Sequence, residues 1–197
     1  MYPFQFTLPL NLPSSYKGSH GSVQYKIKAT VKRSWRVDDT ASSGFTVNAI
    51  LDLNKERGAD TPIKIHKEKT VCCCCCASGP IVFNLDIPRS GFVPGEGVDI
   101  AAKIQNGSKR TVKSVKVTLQ QNVVFKAGGQ TKEDSHEMAK AEKVDNPLEP
   151  GDTDEWNAKL LQIPAVPPTN LGGCKLIDVH YELKVSWTPH GLFFTVL

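Results

Sequence analysis

The chain has 197 residues, enough for one large domain or two small ones with a buried core. It is 40% hydrophobic and 22% charged, ordinary values for a globular protein, and its net charge of +4 only mildly favours an acidic partner or a membrane surface. The N-terminus lacks the basic and apolar segments of a signal peptide, and no stretch reaches the roughly 18 apolar residues of a membrane span. The composition therefore argues against a disordered chain and against an integral membrane protein.

Alternation of apolar and polar residues with a period of two is the dominant pattern. In SVQYKIKATV (residues 22–31), every second residue from Val23 to Val31 is apolar, which predicts a half-buried strand. Turn sequences rich in proline, glycine, asparagine and aspartate separate the strand-like segments, so the chain is predicted to be an all-β sandwich protein. Further strands are predicted over residues 45–50, 81–87, 98–105, 112–119 and 177–187. Residues 133–144 carry a thin apolar stripe of Met138, Ala141 and Val144 that would suit a helical turn, and a strand and loop is the preferred interpretation.

A change in composition suggests where one β unit ends and another begins. Residues 53–69 read LNKERGADTPIKIHKEK, a charged segment that contains Gly58 and Pro62. Such a segment is typical of a linker. We therefore predict a first unit over residues 1–54, a linker over residues 55–70 and a second unit over residues 71–197.

Five of the six cysteines are consecutive, Cys72 to Cys76. Neighbouring cysteines cannot join distant loops, so the pattern is not a disulfide framework, and it favours the reducing cytosol. Adjacent side chains on a strand point to opposite faces, which makes a closed zinc site from this run geometrically poor. A packed strand is the preferred interpretation because reduced cysteine buries well; lipidation, redox modification and metal binding remain alternatives.

The sequence contains no recognisable catalytic or cofactor-binding set. The five histidines show no HExxH or paired metal-ligand spacing, and no serine lies in a GxSxG sequence. We therefore predict no enzymatic activity, no metal and no cofactor. Basic residues are not interleaved with aromatic ones as a stacking platform, so no nucleic-acid partner is predicted. Trp35, Trp156 and Trp187 are expected to anchor the sandwich cores.

A set of lysines on the polar sides of predicted strands forms a candidate basic contact face. A solvated surface is the simplest interpretation of these residues. The functional alternative is contact with anionic lipid or with a phosphorylated cytoplasmic tail, both of which suit basic groups. The candidates are Lys26, Lys28, Lys32, Lys113 and Lys116.

With the strands in this order, the chain resembles the α-arrestins, or arrestin-domain-containing proteins, nearly end to end. FTLPLNLPSSYKGSHGSVQYKIKATVKRSW is similar to the latter part of an arrestin N-domain, and TVCCCCCASGPIVFNLDIPRSGFVPGE to the entry into the C-domain. NGSKRTVKSVKVTLQQ and WNAKLLQIPAVPPTNLGGCKLIDVHYELKV are similar to later C-domain strands. The resemblance implies two immunoglobulin-like arrestin β-sandwich domains. It also implies a partial chain, with an incomplete N-terminal domain and a C-terminal domain lacking its last strand or strands.

What the resemblance implies about function is a non-enzymatic adaptor. α-Arrestins bring membrane cargo, such as receptors and transporters, to ubiquitin ligases for endocytosis and trafficking. The expected partners are cytoplasmic tails of membrane proteins, and the expected location is the cytoplasm, with peripheral association at the plasma membrane or endosomes. Ligase recruitment requires a PPxY motif, and the 197 residues contain only VPPT at 166–169. Ubiquitin ligase machinery is therefore an expected partner only if a PPxY tail exists.

Cys174 is the candidate redox thiol. It follows Gly172 and Gly173 and precedes a predicted strand, and an accessible loop thiol can be reactive. In one α-arrestin a cysteine at this position forms a mixed disulfide with thioredoxin, so the resemblance implies an alternative function as a thioredoxin-binding redox regulator. A structural cysteine at the start of a strand is the simpler interpretation. A further alternative is an inactive fragment of a longer arrestin.

Overall fold

The computed structural model describes residues 3–70, 79–143, 146–188 and 194–196. Within these ranges the chain forms strands and one short 3-10 helix, Leu53–Lys55, so the predicted all-β class is confirmed. Among the described residues there is thus no helix that could span a membrane. The strands are β1 Tyr16–Lys17, β2 Ser22–Val23, β3 Tyr25–Val31, β4 Asp39–Phe45, β5 Ile63–Thr70, β6 Pro80–Ile87, β7 Gly97–Asn106, β8 Ser114–Ala127, β9 Gln130–Lys143, β10 Thr153–Gln162, β11 Ile177–Thr188 and β12 Phe194–Val196.

The chain divides into two compact units, and each is assembled from separate stretches of sequence. Unit 1 contains Met1–Leu51, Asn122–Asp134 and Pro167–His180. Unit 2 contains Asp52–Gln121, Ser135–Val166 and Tyr181–Leu197. The predicted division into residues 1–54, 55–70 and 71–197 remains a prediction. It divides the chain into consecutive stretches, whereas each compact unit combines separate stretches.

Unit 2 is a β-sandwich with one continuous core. Its sheets have the strand orders β10-β7-β6-β5 and β12-β11-β8-β9. Inward positions alternate along β6, β7 and β8 as the sequence pattern predicted. The rings of Phe83 on β6 and Trp187 on β11 lie 6.3 Å apart in this core. Burial of these apolar side chains stabilises the sandwich. The other fully buried large side chains of this unit include Ile87, Val98, Ile100, Val117, Leu161 and Val185.

Half of the predicted linker is a strand. β5, Ile63–Thr70, pairs antiparallel with β6, and Ile63 and Ile65 pack against the unit 2 core. The alternation stops after these two isoleucines, because the next positions on the same side of the strand are Lys67 and Lys69. Residues 63–70 of the predicted linker therefore belong to a sheet.

Unit 1 contains two small sheets, β1-β2 and β3-β4, together with the adjoining ends of β8, β9 and β11. Phe125 on β8 is buried, and its ring lies 5.6 Å from that of His20 and 6.5 Å from that of Tyr16. The Tyr25 hydroxyl donates a hydrogen bond of 2.8 Å to the carbonyl of Pro13, and its ring packs on Phe45 at 5.9 Å. These contacts attach the N-terminal segment to the base of the β3-β4 hairpin.

The strand predicted over residues 45–50 is wrong in its position. The strand β4 is Asp39–Phe45, and the backbone after it is bonded by serine hydroxyls. The Ser15 hydroxyl accepts from the Val47 amide at 3.0 Å, and the Ser14 hydroxyl accepts from the Ala49 amide at 2.9 Å. The Ser15 amide also donates to the Val47 carbonyl at 2.8 Å, so this segment is held without belonging to a strand.

Two of the three predicted tryptophan anchors are confirmed, and one prediction is wrong. Trp156 and Trp187 are buried, with 6% and 2% of their surfaces exposed. Trp35 is fully exposed at 103% and has a φ of 66° in the loop between β3 and β4. Trp35 lies in a turn after the end of β3. The alternation of residues along β3 therefore could not predict that its ring is exposed.

Candidate interaction surfaces

Lys26 and Lys28 lie on the outer side of β3 and are exposed. Their partners across the hairpin are Gly44 and Ser42, residues that carry no charge. No ion pair among the described residues involves either lysine, so both ammonium groups are available to an anionic ligand. Lys32 is exposed in the loop that follows β3.

The other two candidate lysines belong to unit 2. Lys113 is exposed, and its backbone amide donates to the Thr188 carbonyl at 3.0 Å. The Lys116 ammonium forms a salt bridge of 2.8 Å with Glu137 on the neighbouring strand β9. The hydrogen bond from Lys116 lowers the pKa of the Glu137 carboxyl. Lys116 is therefore already paired, whereas Lys26, Lys28 and Lys32 all belong to unit 1 and have no ion pair among the described residues.

Cys174 is a free cysteine on a tight turn that leads into β11, and its side chain is partly exposed. Its backbone amide donates to the Leu171 carbonyl at 2.8 Å, and Leu171 is fully buried. Asn170 has a φ of 60°, and its amide donates to the Val179 carbonyl at 2.7 Å. The turn is thus fixed at both ends, and the thiol is held at a defined position at the surface of unit 1.

The outer face of the β10-β7-β6-β5 sheet carries a shallow cavity of about 410 Å³. Charged side chains from neighbouring strands are paired across it. The Lys64 ammonium lies 3.2 Å from the Asp86 carboxylate, and the Lys103 ammonium lies 2.6 Å from the Glu155 carboxylate. The sequence gives no local sign of this charged face, because each pair depends on cross-strand register.

His66 lies on the edge strand β5 and lines the same cavity. Its Nδ1 is 2.7 Å from the side-chain oxygen of Asn84, and its Nε2 is 3.2 Å from the Glu68 carboxylate. The hydrogen bond to Asn84, followed by that to Glu68, raises the pKa of His66 above its ordinary value. The imidazolium form is therefore favoured on a surface where opposite charges are otherwise balanced in pairs.

No candidate metal site is found in the part of the chain that the structure describes. Over residues 3–70, 79–143, 146–188 and 194–196, no three His, Cys, Asp or Glu side chains are grouped in a way that could hold a metal ion. The five consecutive cysteines, Cys72 to Cys76, lie outside the described residues, so the packed-strand interpretation remains a prediction. What the described residues do offer is open, charged sheet surface.

These observations define a class: an all-β protein of sandwich type whose candidate sites are sheet faces, an exposed hairpin and a surface thiol. The family model "Arrestin (or S-antigen), C-terminal domain" matches residues 77–193, and "Arrestin (or S-antigen), N-terminal domain" matches residues 1–54. The chain belongs to the arrestin family. The fold of two arrestin β-sandwich domains, predicted from resemblance, is confirmed by these matches.

Curated relatives carry the same family name. The chain is 33% identical over 193 residues to Arrestin domain-containing protein 17 of Caenorhabditis elegans, covering 94% of this chain and 45% of the relative. It is 36% identical over 185 residues to Arrestin domain-containing protein 4 of Mus musculus, covering 93% and 43%. It is 27% identical over 187 residues to Arrestin domain-containing protein 1 of Homo sapiens, covering 94% and 42%. The chain thus spans less than half the length of these relatives.

Proposed function

We propose that this chain acts as a non-enzymatic adaptor of the α-arrestin type, which binds membrane cargo for ubiquitin-dependent endocytosis and trafficking. Membership of the arrestin family across both domain models is the observation that carries the proposal. The open, charged sheet surfaces of the described residues suit binding of an extended ligand better than chemistry in an enclosed pocket. The protein would work in the cytoplasm, at the plasma membrane or on endosomes.

The proposed ligand is an acidic or phosphorylated cytoplasmic tail of a receptor or transporter. Lys26 and Lys28 present two charges on one side of β3, and neither forms an ion pair with a described residue, which suits a phosphorylated segment. Among the described strands, β5 lies at the edge of its sheet in unit 2. The backbone groups on its unpaired edge can form hydrogen bonds with an added strand. The two surfaces are proposed as separate binding sites. At β3 charge would select the tail, and at β5 strand addition would provide affinity that depends little on sequence.

The proposal is tested by titrating phosphorylated and unphosphorylated tail peptides into the chain. Lys26→Gln combined with Lys28→Gln should weaken binding of the phosphorylated peptide about tenfold, since each charged hydrogen bond contributes roughly 1.5–3 kcal/mol when fully formed and less at a surface. Lys109→Gln combined with Lys132→Gln is the matched control, because both lysines are exposed and lie outside β3. Equal loss in both double variants, or no binding of any acidic tail, would contradict the proposal.

Coupling to ubiquitin ligases is proposed to depend on a PPxY segment outside these 197 residues. The motif is absent from the sequence, in which VPPT at 166–169 lacks the tyrosine. A pull-down with isolated WW domains should therefore recover none of this chain. Recovery of the chain would show a different route of ligase recruitment.

A second candidate function is thiol-dependent binding of thioredoxin through Cys174. The observation that favours it is a free, partly exposed thiol on a rigid turn. In the proposed step the Cys174 thiolate attacks the disulfide of oxidised thioredoxin. One protein–protein disulfide forms, and one thioredoxin cysteine leaves as a thiolate.

Mass spectrometry distinguishes this candidate from cargo binding. A thioredoxin variant that lacks its second active-site cysteine, activated as a mixed disulfide with a small aromatic thiol, should form an adduct that maps to the peptide containing Cys174. Cys174→Ser should abolish that adduct while leaving binding of tail peptides unchanged. An adduct only on Cys72 to Cys76, or no adduct, would exclude Cys174 as the thioredoxin site.

A further inference from the structure

The hairpin of β3 and β4 projects from unit 1. Tyr25, Ile27 and Phe45 at its base are partly buried, whereas every residue from 28 to 44 is exposed. The two strands remain paired to Val31 and Asp39, so the loop of residues 32–38 is held at the end of an ordered ribbon. The tip is therefore both positioned and fully accessible to a partner.

Three large apolar side chains are concentrated at this tip. Val31 is 59% exposed, Trp35 103% and Val37 90%. The positive φ of Trp35, 66°, is unfavourable for a bulky residue. A fully solvated tryptophan in a strained turn brings no packing to the folded unit, which points to a role in binding.

Positive charge surrounds the same tip. The loop of residues 32–38 contains three basic side chains and one acidic one, Asp38, and a second acidic residue, Asp39, follows it. Both acidic residues are engaged by Arg33, since Asp39 forms a salt bridge with its guanidinium and Asp38 accepts its backbone amide at 3.3 Å. Lys32 and Arg36, on either side of Trp35, have no ion-pair partner among the described residues.

We infer that this hairpin tip is a membrane-docking element that inserts Trp35 into the headgroup region of an anionic bilayer. Tryptophan is favoured at the bilayer interface because its ring is apolar and its indole N–H is polar. Lys32 and Arg36 would lie beside anionic headgroups, each adding about fivefold to the affinity. A projecting tip provides no groove for a peptide, whereas a bilayer accepts an inserted side chain without one.

The docking element is independent of the adaptor proposal. The proposed cargo-binding surfaces are the exposed side of β3 and the edge of β5, whereas insertion into the bilayer uses the loop between β3 and β4. Vesicles that contain lipid alone can test insertion with no cargo present. Loss of tail-peptide binding and loss of vesicle binding are therefore separate results.

Tryptophan fluorescence gives a selective measurement, because Trp156 and Trp187 are buried and Trp35 is the exposed one of the three. The 197-residue chain is mixed with vesicles of phosphatidylcholine alone or with 30% phosphatidylserine. Insertion predicts a blue shift of the Trp35 emission with the anionic vesicles only. Lipids brominated near the headgroup end of the acyl chain should quench that emission. Both effects should be lost at high salt.

Variants separate insertion from simple charge attraction. Trp35→Ala should weaken co-sedimentation with anionic vesicles about tenfold, and Lys32→Gln with Arg36→Gln about twenty-five-fold. Ile50→Ala is the matched control, because Ile50 is 95% exposed in the same unit but lies outside the hairpin, and it should bind like the unchanged chain. Circular dichroism of each variant verifies that the fold is retained.

Several results would overturn the inference. If the chain binds anionic vesicles but brominated lipid does not quench the fluorescence of Trp35, the chain is attracted to the surface without insertion. A blue shift produced by a soluble acidic or phosphorylated peptide, with no shift on vesicles, would identify the tip as a protein-binding surface. Equal weakening by Ile50→Ala and Trp35→Ala would show that the effect has no specificity for the hairpin.

Discussion

Gly172 and Gly173 precede the candidate thiol of Cys174, and only one of the two positions has room for a side chain. Gly173 has a φ of 85°, and a Cβ there would lie 2.5 Å from the Asn11 carbonyl oxygen. A Cβ on Gly172 would meet nothing within 4 Å. The turn that positions Cys174 therefore depends on one glycine and not on the other.

We predict that Gly173→Ala lowers the free energy of unfolding by about 2 kcal/mol, through backbone strain and the clash with Asn11. Gly172→Ala, the adjacent control, should change it by less than about 0.5 kcal/mol. Urea unfolding followed by circular dichroism measures both. Equal effects of the two substitutions would mean that the turn is not held against the N-terminal segment.

His66 provides a prediction about pH. Its pKa is raised by Asn84 first and Glu68 second, so its imidazole should titrate above the ordinary value of 6.5. The folded state then binds the proton more tightly than the unfolded state. The resulting stabilisation is fully present below the unfolded pKa and is lost as the pH rises through the folded pKa.

An NMR titration of the imidazole resonances measures this pKa directly. Asn84→Ala should lower the pKa of His66 more than Glu68→Gln does, because the contact with Asn84 is the larger cause. A His66 titration at or below the ordinary value would contradict the geometry of the charged face.

At the scale of secondary-structure elements, β11 and the β3-β4 hairpin place tryptophans in opposite environments. Trp187→Ala should destabilise the fold by about 3–5 kcal/mol, because it opens a cavity beside Phe83. Trp35→Ala should change stability by less than about 0.5 kcal/mol. Thermal and urea unfolding of the two variants provide the comparison, and a large loss for Trp35→Ala would mean that the tip packs on something.

The sequence predicted the strands of the unit 2 core well and the surface poorly. Alternation in β6, β7 and β8 identified inward residues such as Phe83 and Val117, because burial on one side of a sheet imposes a period of two. β5 was missed because only two apolar residues on its inner side face the core. The exposure of Trp35 and the pairing of Lys116 with Glu137 depend on a turn conformation and on cross-strand register, which local pattern does not report.

At the scale of the whole molecule, local stability should differ strongly between regions. The buried strands β6 and β7 are paired on both sides within a four-stranded sheet, whereas residues 28–44 are exposed in a two-stranded ribbon. Hydrogen exchange is slow where opening requires loss of the core and fast where backbone bonds are solvated.

Mass-spectrometric hydrogen exchange should therefore show protection of β6 and β7 that lasts much longer than protection of the hairpin. Peptides from the tip should exchange within seconds, and addition of anionic vesicles should slow that exchange in this region. Uniform exchange throughout the chain would contradict the existence of a sandwich core.

The discontinuous make-up of unit 1 has a consequence for biosynthesis. Its first segment, Met1–Leu51, completes its packing only with Asn122–Asp134 and Pro167–His180, which leave the ribosome much later. At bacterial to eukaryotic elongation rates the delay is on the order of ten seconds, long compared with strand pairing itself. During that interval Phe4, Phe6 and Leu10, which remain exposed even in the finished fold, are accessible to chaperones on the nascent chain.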